Sequence, residues 1–264
     1  MARGFVRALD PVAELKRRLA RAATPKARAF WTRYLRGTAK FRGVPMGKVR
    51  TTVHAWWTDH ELADHPPAVG KRIALALIEE RLTEDKLAGI LVLQEMLGDH
   101  LRASDLPAFA RLFATGDLAD WDVVDWFSVK VLGTMLERAS SRGEAARAIA
   151  QWRHADTTWQ RRAACIAFIG LAPRGDAALP DLAELIFSVC ATVVWSHERF
   201  EQTAVGWLLR ELSRAEPDLV DSFFRRTARL MTKECARTAV ARLPAVQRAE
   251  LLAYHKRATT IRRG

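Results

Sequence analysis

Ala119-Asp120-Trp121-Asp122-Val123-Val124-Asp125-Trp126 opens a helix whose apolar side continues through Phe127, Val131 and Met135. Trp121 marks its start. Asp122 suits an N-cap or a first-turn acid, where free N–H groups and the positive end of the helix dipole favour a carboxylate. Asp125 lies past the best capping position. Four residues after Trp121, it projects from the same face. Packing alone gives no reason for a tryptophan and a carboxylate to share a face in a chain of net charge +12.

Working outward, the same kind of helix recurs. Apolar helices begin near Thr83, Asp122, Thr158, Glu198 and Lys233, at intervals of 35–40 residues. Each is followed by a short break and a second helix, at 105–114, 143–152, 181–190, 217–230 and 245–254. The cores echo one another. Leu87-Ala88-Gly89-Ile90-Leu91-Val92-Leu93 parallels Val129-Lys130-Val131-Leu132-Gly133-Thr134-Met135, and then Ala163-Ala164-Cys165-Ile166-Ala167-Phe168-Ile169 and Ala204-Val205-Gly206-Trp207-Leu208-Leu209. No alternating segment with turn signals competes as a sheet. Two helices per 35–40 residues is the period of HEAT and armadillo-type repeats, whose helix pairs bury their inner faces on their neighbours. The expected fold is all-α, an α-solenoid of HEAT-like helical repeats with a concave basic groove, in a single domain spanning 1–264.

Upstream, a basic amphipathic helix fills residues 1–23, with Phe5, Leu9, Val12, Leu15 and Leu19 at helical spacing. Thr24-Pro25 caps and starts a second helix carrying Phe30, Trp31, Tyr34 and Leu35, which Gly37 ends. Phe41-Arg42-Gly43-Val44-Pro45 is a connector. Pro45 opens a helix with Val49, Val53, Trp56 and Trp57, and His65-Pro66-Pro67 precedes another with Ile73, Leu75, Leu77 and Ile78. Residues 256–264 read as a basic tail.

A chain of 264 residues, 49% apolar, has ample length to bury a core. Its pI of about 10.3 points to a polyanionic partner, nucleic acid first. The cluster Lys16-Arg17-Arg18 and the tail residues Lys256, Arg257, Arg262 and Arg263 supply part of the charge, but the body stays basic without them. Cys165, Cys190 and Cys235 are odd in number and lie in apolar helices, so they read as reduced core residues of a cytosolic protein. The N-terminus lacks the apolar core of a signal peptide. The longest apolar run, Leu185 to Trp195, is too short to span a bilayer. A soluble cytoplasmic monomer is expected, nucleoid-associated when bound to DNA. His60-Glu61 with His65 lacks the spacing of a zinc motif, and Ser140, Ser141 and Ser188 lack a nearby base.

Repeated helices offer similar positions to a common surface. Those positions carry Lys130, Arg161, Arg162, Arg199, Arg210, Lys233 and Arg237, interleaved with Trp121, Trp126, Trp159 and Trp207. The cations can neutralise phosphates, and the tryptophans offer flat apolar surface to sugars, bases or a cationic lesion.

Four motifs give the chain a resemblance to the DNA alkylation repair family, the AlkD-like DNA glycosylases. Trp121-Asp122-Val123-Val124-Asp125 resembles the family's Trp-Asp-x-Val-Asp. Trp159-Gln160-Arg161-Arg162-Ala163-Ala164 resembles its Trp-x-x-Arg-Ala-Ala. Gln202-Thr203-Ala204-Val205-Gly206-Trp207-Leu208-Leu209-Arg210-Glu211 is similar to Gln-x-Ala-Ile-Gly-Trp-x-Leu-Arg-Glu, the most specific of the four. Arg42-Gly43-Val44-Pro45 is similar to the family's Gly-Ile/Val connector. The match is in register over about 25–255.

The resemblance implies a glycosylase that removes positively charged N3- or N7-alkylated purines from double-stranded DNA, without a deep pocket for an extruded base. Other glycosylases generally flip the base out. By position, Asp125 matches the catalytic aspartate, Trp121 and Trp207 the aromatics that cradle the deoxyribose, and Arg162 the arginine of the lesion site. Arg210 is a phosphate-contact candidate, beside Trp159, Arg161, Lys130, Arg199, Lys233 and Arg237. Two departures bear on the shape of the groove and the adduct it prefers: Asp120-Trp121 stands where Trp-Trp is frequent, and Trp126 where a small residue is common.

Elementary chemistry agrees. An alkylated purine is a cationic leaving group and needs no strong general acid. The barrier is the positive charge developing on the sugar, which a carboxylate beside C1′ stabilises while orienting water. Trp121 and Trp207 can add cation–π attraction of about 0.5–2 kcal/mol each. Arg162 can hold a phosphate and keep Asp125 oriented. No metal or organic cofactor is required. Two other classes remain open: a non-catalytic HEAT-repeat protein binding damaged or branched DNA, and a protein-binding scaffold. Salt-dependent DNA affinity and base release separate them.

Overall fold

The computed structural model describes residues 10–138 and 140–260. Phe5 and Leu9 of the expected N-terminal helix, and Arg262 and Arg263 of the expected tail, lie outside them. All regular structure among the described residues is helical. None of these helices is long and apolar enough to cross a membrane. The chain divides into two compact units between His100 and Leu101.

The first unit holds α1 (Pro11–Arg21), α2 (Pro25–Tyr34), α3 (Met46–Asp59), α4 (Pro67–Ile78) and α5 (Thr83–Leu91). Pro11, Pro25 and Pro67 each occupy a first turn, where the missing N–H costs nothing. Asp10 and Thr24 cap α1 and α2 by accepting from Val12 N and Ala27 N. The core gathers Leu15, Leu19, Val49, Val53, Trp56, Ala74, Leu77, Ile78, Ile90 and Leu91, all fully buried. Burial of each such large side chain is worth about 1.5–3 kcal/mol.

The connector is held by α5. The Glu84 carboxylate, 2% exposed, accepts backbone N–H bonds from Arg42 (2.8 Å), Gly43 (2.7 Å) and Val44 (2.9 Å). Arg42 forks onto Asp85 at 2.9 and 2.6 Å. Burial pushes the Asp85 carboxyl up, against the opposing pull of Arg42. Gly43 has φ +97°, and a Cβ there would stand 2.5 Å from the Thr24 carbonyl, so only glycine fits. The Arg42-Gly43-Val44-Pro45 motif thus ties the starts of α2 and α5 together.

The second unit comprises α6 (Leu106–Ala114), α7 (Trp121–Phe127), α8 (Gly133–Arg138), α9 (Arg142–Gln151), α10 (Thr158–Ile166), α11 (Leu182–Val193), α12 (Arg199–Leu212), α13 (Pro217–Thr227), α14 (Lys233–Ala239) and α15 (Ala245–Thr260). Its helices form two layers. In one, α7, α10, α12 and α14 each pack on the next; in the other, α6, α9 and α11 do so, and α13 packs on α15. A π turn, Ser128–Leu132, joins α7 to α8. The three cysteines are buried and free. Burial drives their thiols up, that of Cys235 to about 12, which makes them poor nucleophiles.

Expected helix starts at Thr83, Thr158 and Lys233 coincide with the first residues of α5, α10 and α14. At α12 the boundary moves by one residue, Glu198 being the N-cap. At the C-terminus α15 runs to Thr260, so Lys256 and Arg257 are helical rather than part of a tail.

Candidate active site

The end of α7 is set by Asp120, which caps it by accepting from Asp122 N at 3.1 Å; Asp122 therefore takes the first-turn place. Val123, Val124 and Phe127 are buried and fix the helix against the core, which turns Asp125 outward with Trp121 one turn behind it. The Ser128 hydroxyl donates to the Val124 carbonyl at 2.7 Å as the π turn begins. π turns inside helices recur at functional sites.

Asp125 does not pair along its own helix. Its Oδ1 and Oδ2 accept from Arg162 Nε and Nη2, each at 2.7 Å, in a two-pronged bond from α10. Arg162 Nη1 donates to the Phe200 carbonyl (2.6 Å) and the Thr203 hydroxyl (3.1 Å) on α12. The Arg162 side chain is 7% exposed and that of Asp125 is 18% exposed. One guanidinium therefore links three successive helices, with the carboxylate at the open end. Each carboxylate oxygen has a second lone-pair site beyond the one Arg162 uses. Asp122, three residues back, has its carboxyl pushed up to about 6 by burial, then by the negative charges of Asp120 and Asp125.

Trp207 lies one turn after Thr203 on α12, and so continues the strip that faces Arg162. Arg210 Cζ stands 5.7 Å from its ring centroid. Trp159 packs on Phe200 with centroids 4.9 Å apart, and Arg162 and Arg199 flank the Phe200 ring at 5.8 and 5.9 Å. Trp126 is half-buried beside Asp125 in sequence.

The expected cations divide into two groups. Lys130, Lys233 and Arg237 are exposed, with no carboxylate partner among the described residues. Three others are paired. Arg161 forks onto buried Glu201 (3.0 and 2.8 Å) and donates to the carbonyls of Ala155 and Asp156, so its donors are turned inward. Arg199 forks onto Glu234 at 2.8 and 2.7 Å near the surface. Arg210 bonds Glu211 at 2.9 Å, and Arg242 shares that carboxylate. Arg162 is likewise engaged from within, in a position to orient Asp125 rather than to reach outward.

Much of the Gln202–Glu211 motif serves the fold. Gln202 Nε2 donates to the carbonyls of Val194 (2.7 Å), Ser196 (2.9 Å) and Leu230 (3.1 Å), and its Oε1 accepts from Thr232 N (3.0 Å). A Cβ on Gly206 would come 2.7 Å from the Cys235 carbonyl, so glycine lets α12 and α14 touch. Of the motif's large side chains, Trp207 and Arg210 are the two left half-exposed. Phe200, Glu201 and Thr203 were not singled out from sequence. Glu201 and Gln202, two polar residues opening an apolar helix, were the available signal.

These features define an all-helical protein in which a carboxylate, braced by a buried arginine, lies between tryptophan-bearing helices. The description of the DNA alkylation repair enzyme family matches residues 15–243, and the chain belongs to that family. Its fold is similar to that of a solved structure described as a predicted DNA alkylation repair enzyme from Enterococcus faecalis. The TM-score is 0.71 at 18% identity, covering 84% of this chain and 97% of that one. No curated protein sequence matches.

Proposed function

We propose that this member of the DNA alkylation repair family is a DNA glycosylase. It hydrolyses the N-glycosidic bond of cationic N3- or N7-alkylated purines in double-stranded DNA. The observation that carries the reading is the Asp125–Arg162 pair: a carboxylate with both oxygens fixed, on a face shared with Trp121. A fixed carboxylate needs no reorganisation as positive charge builds on the sugar, which is the condition for electrostatic stabilisation of that transition state. Water donating a hydrogen bond to a free lone pair of Asp125 is placed to attack C1′ as the base departs, and its proton passes to that carboxylate as the C1′–O bond forms. As the bond breaks, its electron pair passes to the alkylated base and cancels the base's positive charge, so the base departs neutral without a proton donor and the positive charge is left on the sugar. Trp121 and Trp207 supply flat apolar surface to the deoxyribose. Lys130, Lys233 and Arg237 supply charge for the phosphates.

The test is release of free base from a duplex carrying N7-methylguanine or N3-methyladenine, against the unmodified duplex. Release confined to the alkylated duplex supports the reading. Salt-dependent binding without release, from small and bulky adducts alike, would leave a DNA-binding protein and refute catalysis.

A further inference from the structure

The positive charge of this chain is not spread evenly. Between Leu15 and Thr58 there are twelve lysines and arginines and no aspartate or glutamate, an excess equal to the net charge of the whole protein. A merely solvated face mixes both signs, since unbalanced charge repels itself. Part of the excess is balanced by acids outside that stretch: Lys16 by Glu80, Arg18 by Glu14 and Asp59, Arg42 by Asp85, Arg50 by Glu95. Arg21, Lys26, Arg33, Arg36, Lys40 and Lys48 are exposed, with no carboxylate partner among the described residues. All six lie on α1, α2, α3 or their connectors.

Two of these cations, Arg21 and Lys48, line a concave feature. A cleft of about 600 Å³ is lined by Arg18 and Arg21 from α1 and by Lys48, Thr51 and Thr52 from α3. On α2, whose N-cap Thr24 also lines the cleft, Phe30 (57%) and Tyr34 (55%) are exposed, with ring planes 8° apart and centroids 6.1 Å apart. Exposed aromatics among unpaired cations suit a ligand that is anionic along one edge and apolar along another, as the sugar-phosphate strand of DNA is.

We propose that the α1–α2–α3 surface of the first unit is a docking site for the phosphodiester backbone of duplex DNA, anchored by Arg21 and Lys48 in the cleft. The site rests on DNA being the partner, as in the function proposed above, but not on catalysis. It holds the duplex independently of sequence and of damage, and Asp125 and Arg162 have no part in it.

The experiment measures affinity of the full chain for a short unmodified duplex over a range of salt concentrations, by fluorescence anisotropy. R21A/K48A is expected to lower the slope of log K against log salt by about 1–2 and to weaken binding about tenfold. The control R226A/R229A removes the same charge from exposed positions on and just after α13 and should leave the slope unchanged. F30A/Y34A should weaken binding with the slope intact. An unchanged slope in R21A/K48A, an equal loss in the control, or tighter binding of wild type to anionic lipid vesicles than to duplex would each overturn the proposal. The two proposals fail separately. Base release with an unchanged R21A/K48A slope removes only this site; a lowered slope with no release removes only the glycosylase.

Discussion

Replacing Arg162 by alanine tests the geometry at its centre. The change removes both bonds to Asp125, the bond to the Phe200 carbonyl and the bond to the Thr203 hydroxyl. Breaking a buried pair from one side costs about 3–5 kcal/mol, because the partner's charge stays behind uncompensated. Asp125 retains some contact with solvent, so the lower end applies, about 3 kcal/mol. For a domain of this size each kcal/mol moves Tm by about 2–4 °C, giving a fall of about 6–12 °C. Well below that Tm the variant stays folded, yet Asp125 is free to rotate. Misplacement of a reacting group by about 1 Å costs about 100-fold, and single-turnover base release from an alkylated duplex should fall by at least that. Arg162→Lys keeps the charge but loses the fork and should fall between the two. Because Arg162 is 7% exposed, the salt slope of DNA binding should not change. Normal release from Arg162→Ala would refute the orienting role. A slope lowered by about one would show instead that this arginine reaches a phosphate.

Three further outcomes follow from the same structure. Gln202→Leu leaves three carbonyls and one N–H without their partner and should cost about 2–4 kcal/mol in denaturant titrations, with base release intact at low temperature; an unchanged midpoint would contradict the cross-linking role. Trp207→Ala should leave the fold intact and slow release by up to about 30-fold, the kinetic equivalent of one cation–π contact; unchanged kinetics would remove it from the sugar site. Asp122, with its carboxyl pushed from an ordinary 3.8 to about 6, holds a proton in the folded state that the unfolded chain has already lost. Its contribution to stability therefore falls as pH rises from about 4 to about 6, and stays low above. Asp122→Asn should melt higher than wild type above that window, with the gap closing toward its lower edge. A gap independent of pH would show that the carboxyl is not strained by burial.

Helix periodicity was legible because it is local. Proline and threonine starts placed the first residues of α2, α5 and α10, apolar spacing placed that of α14, and the unusual pairing of Trp121 with Asp125 singled out the candidate site. What sequence could not give was the partner of each charged group. Asp125 and Arg162 are 37 residues apart and meet only through the packing of α7 on α10. Arg161 and Arg162 are neighbours of identical type, yet one turns to Glu201 and the other to Asp125. Helix rotation decides that, and composition does not. The roles of Gln202 and Glu84 as buried acceptors and donors for distant backbone were hidden for the same reason. The acid-free stretch from Leu15 to Thr58 was in plain view, but its cleft needed α1 and α3 side by side.

The measurement that bears most directly on the central claim is single-turnover base release by Asp125→Asn beside wild type, on duplex DNA carrying N7-methylguanine. Asparagine keeps the size of the side chain but removes the charge that faces the developing cation. Release should fall by about 10²–10³ or more while affinity for the duplex stays level or rises. Release at the wild-type rate, with the variant folded and bound, would contradict the account.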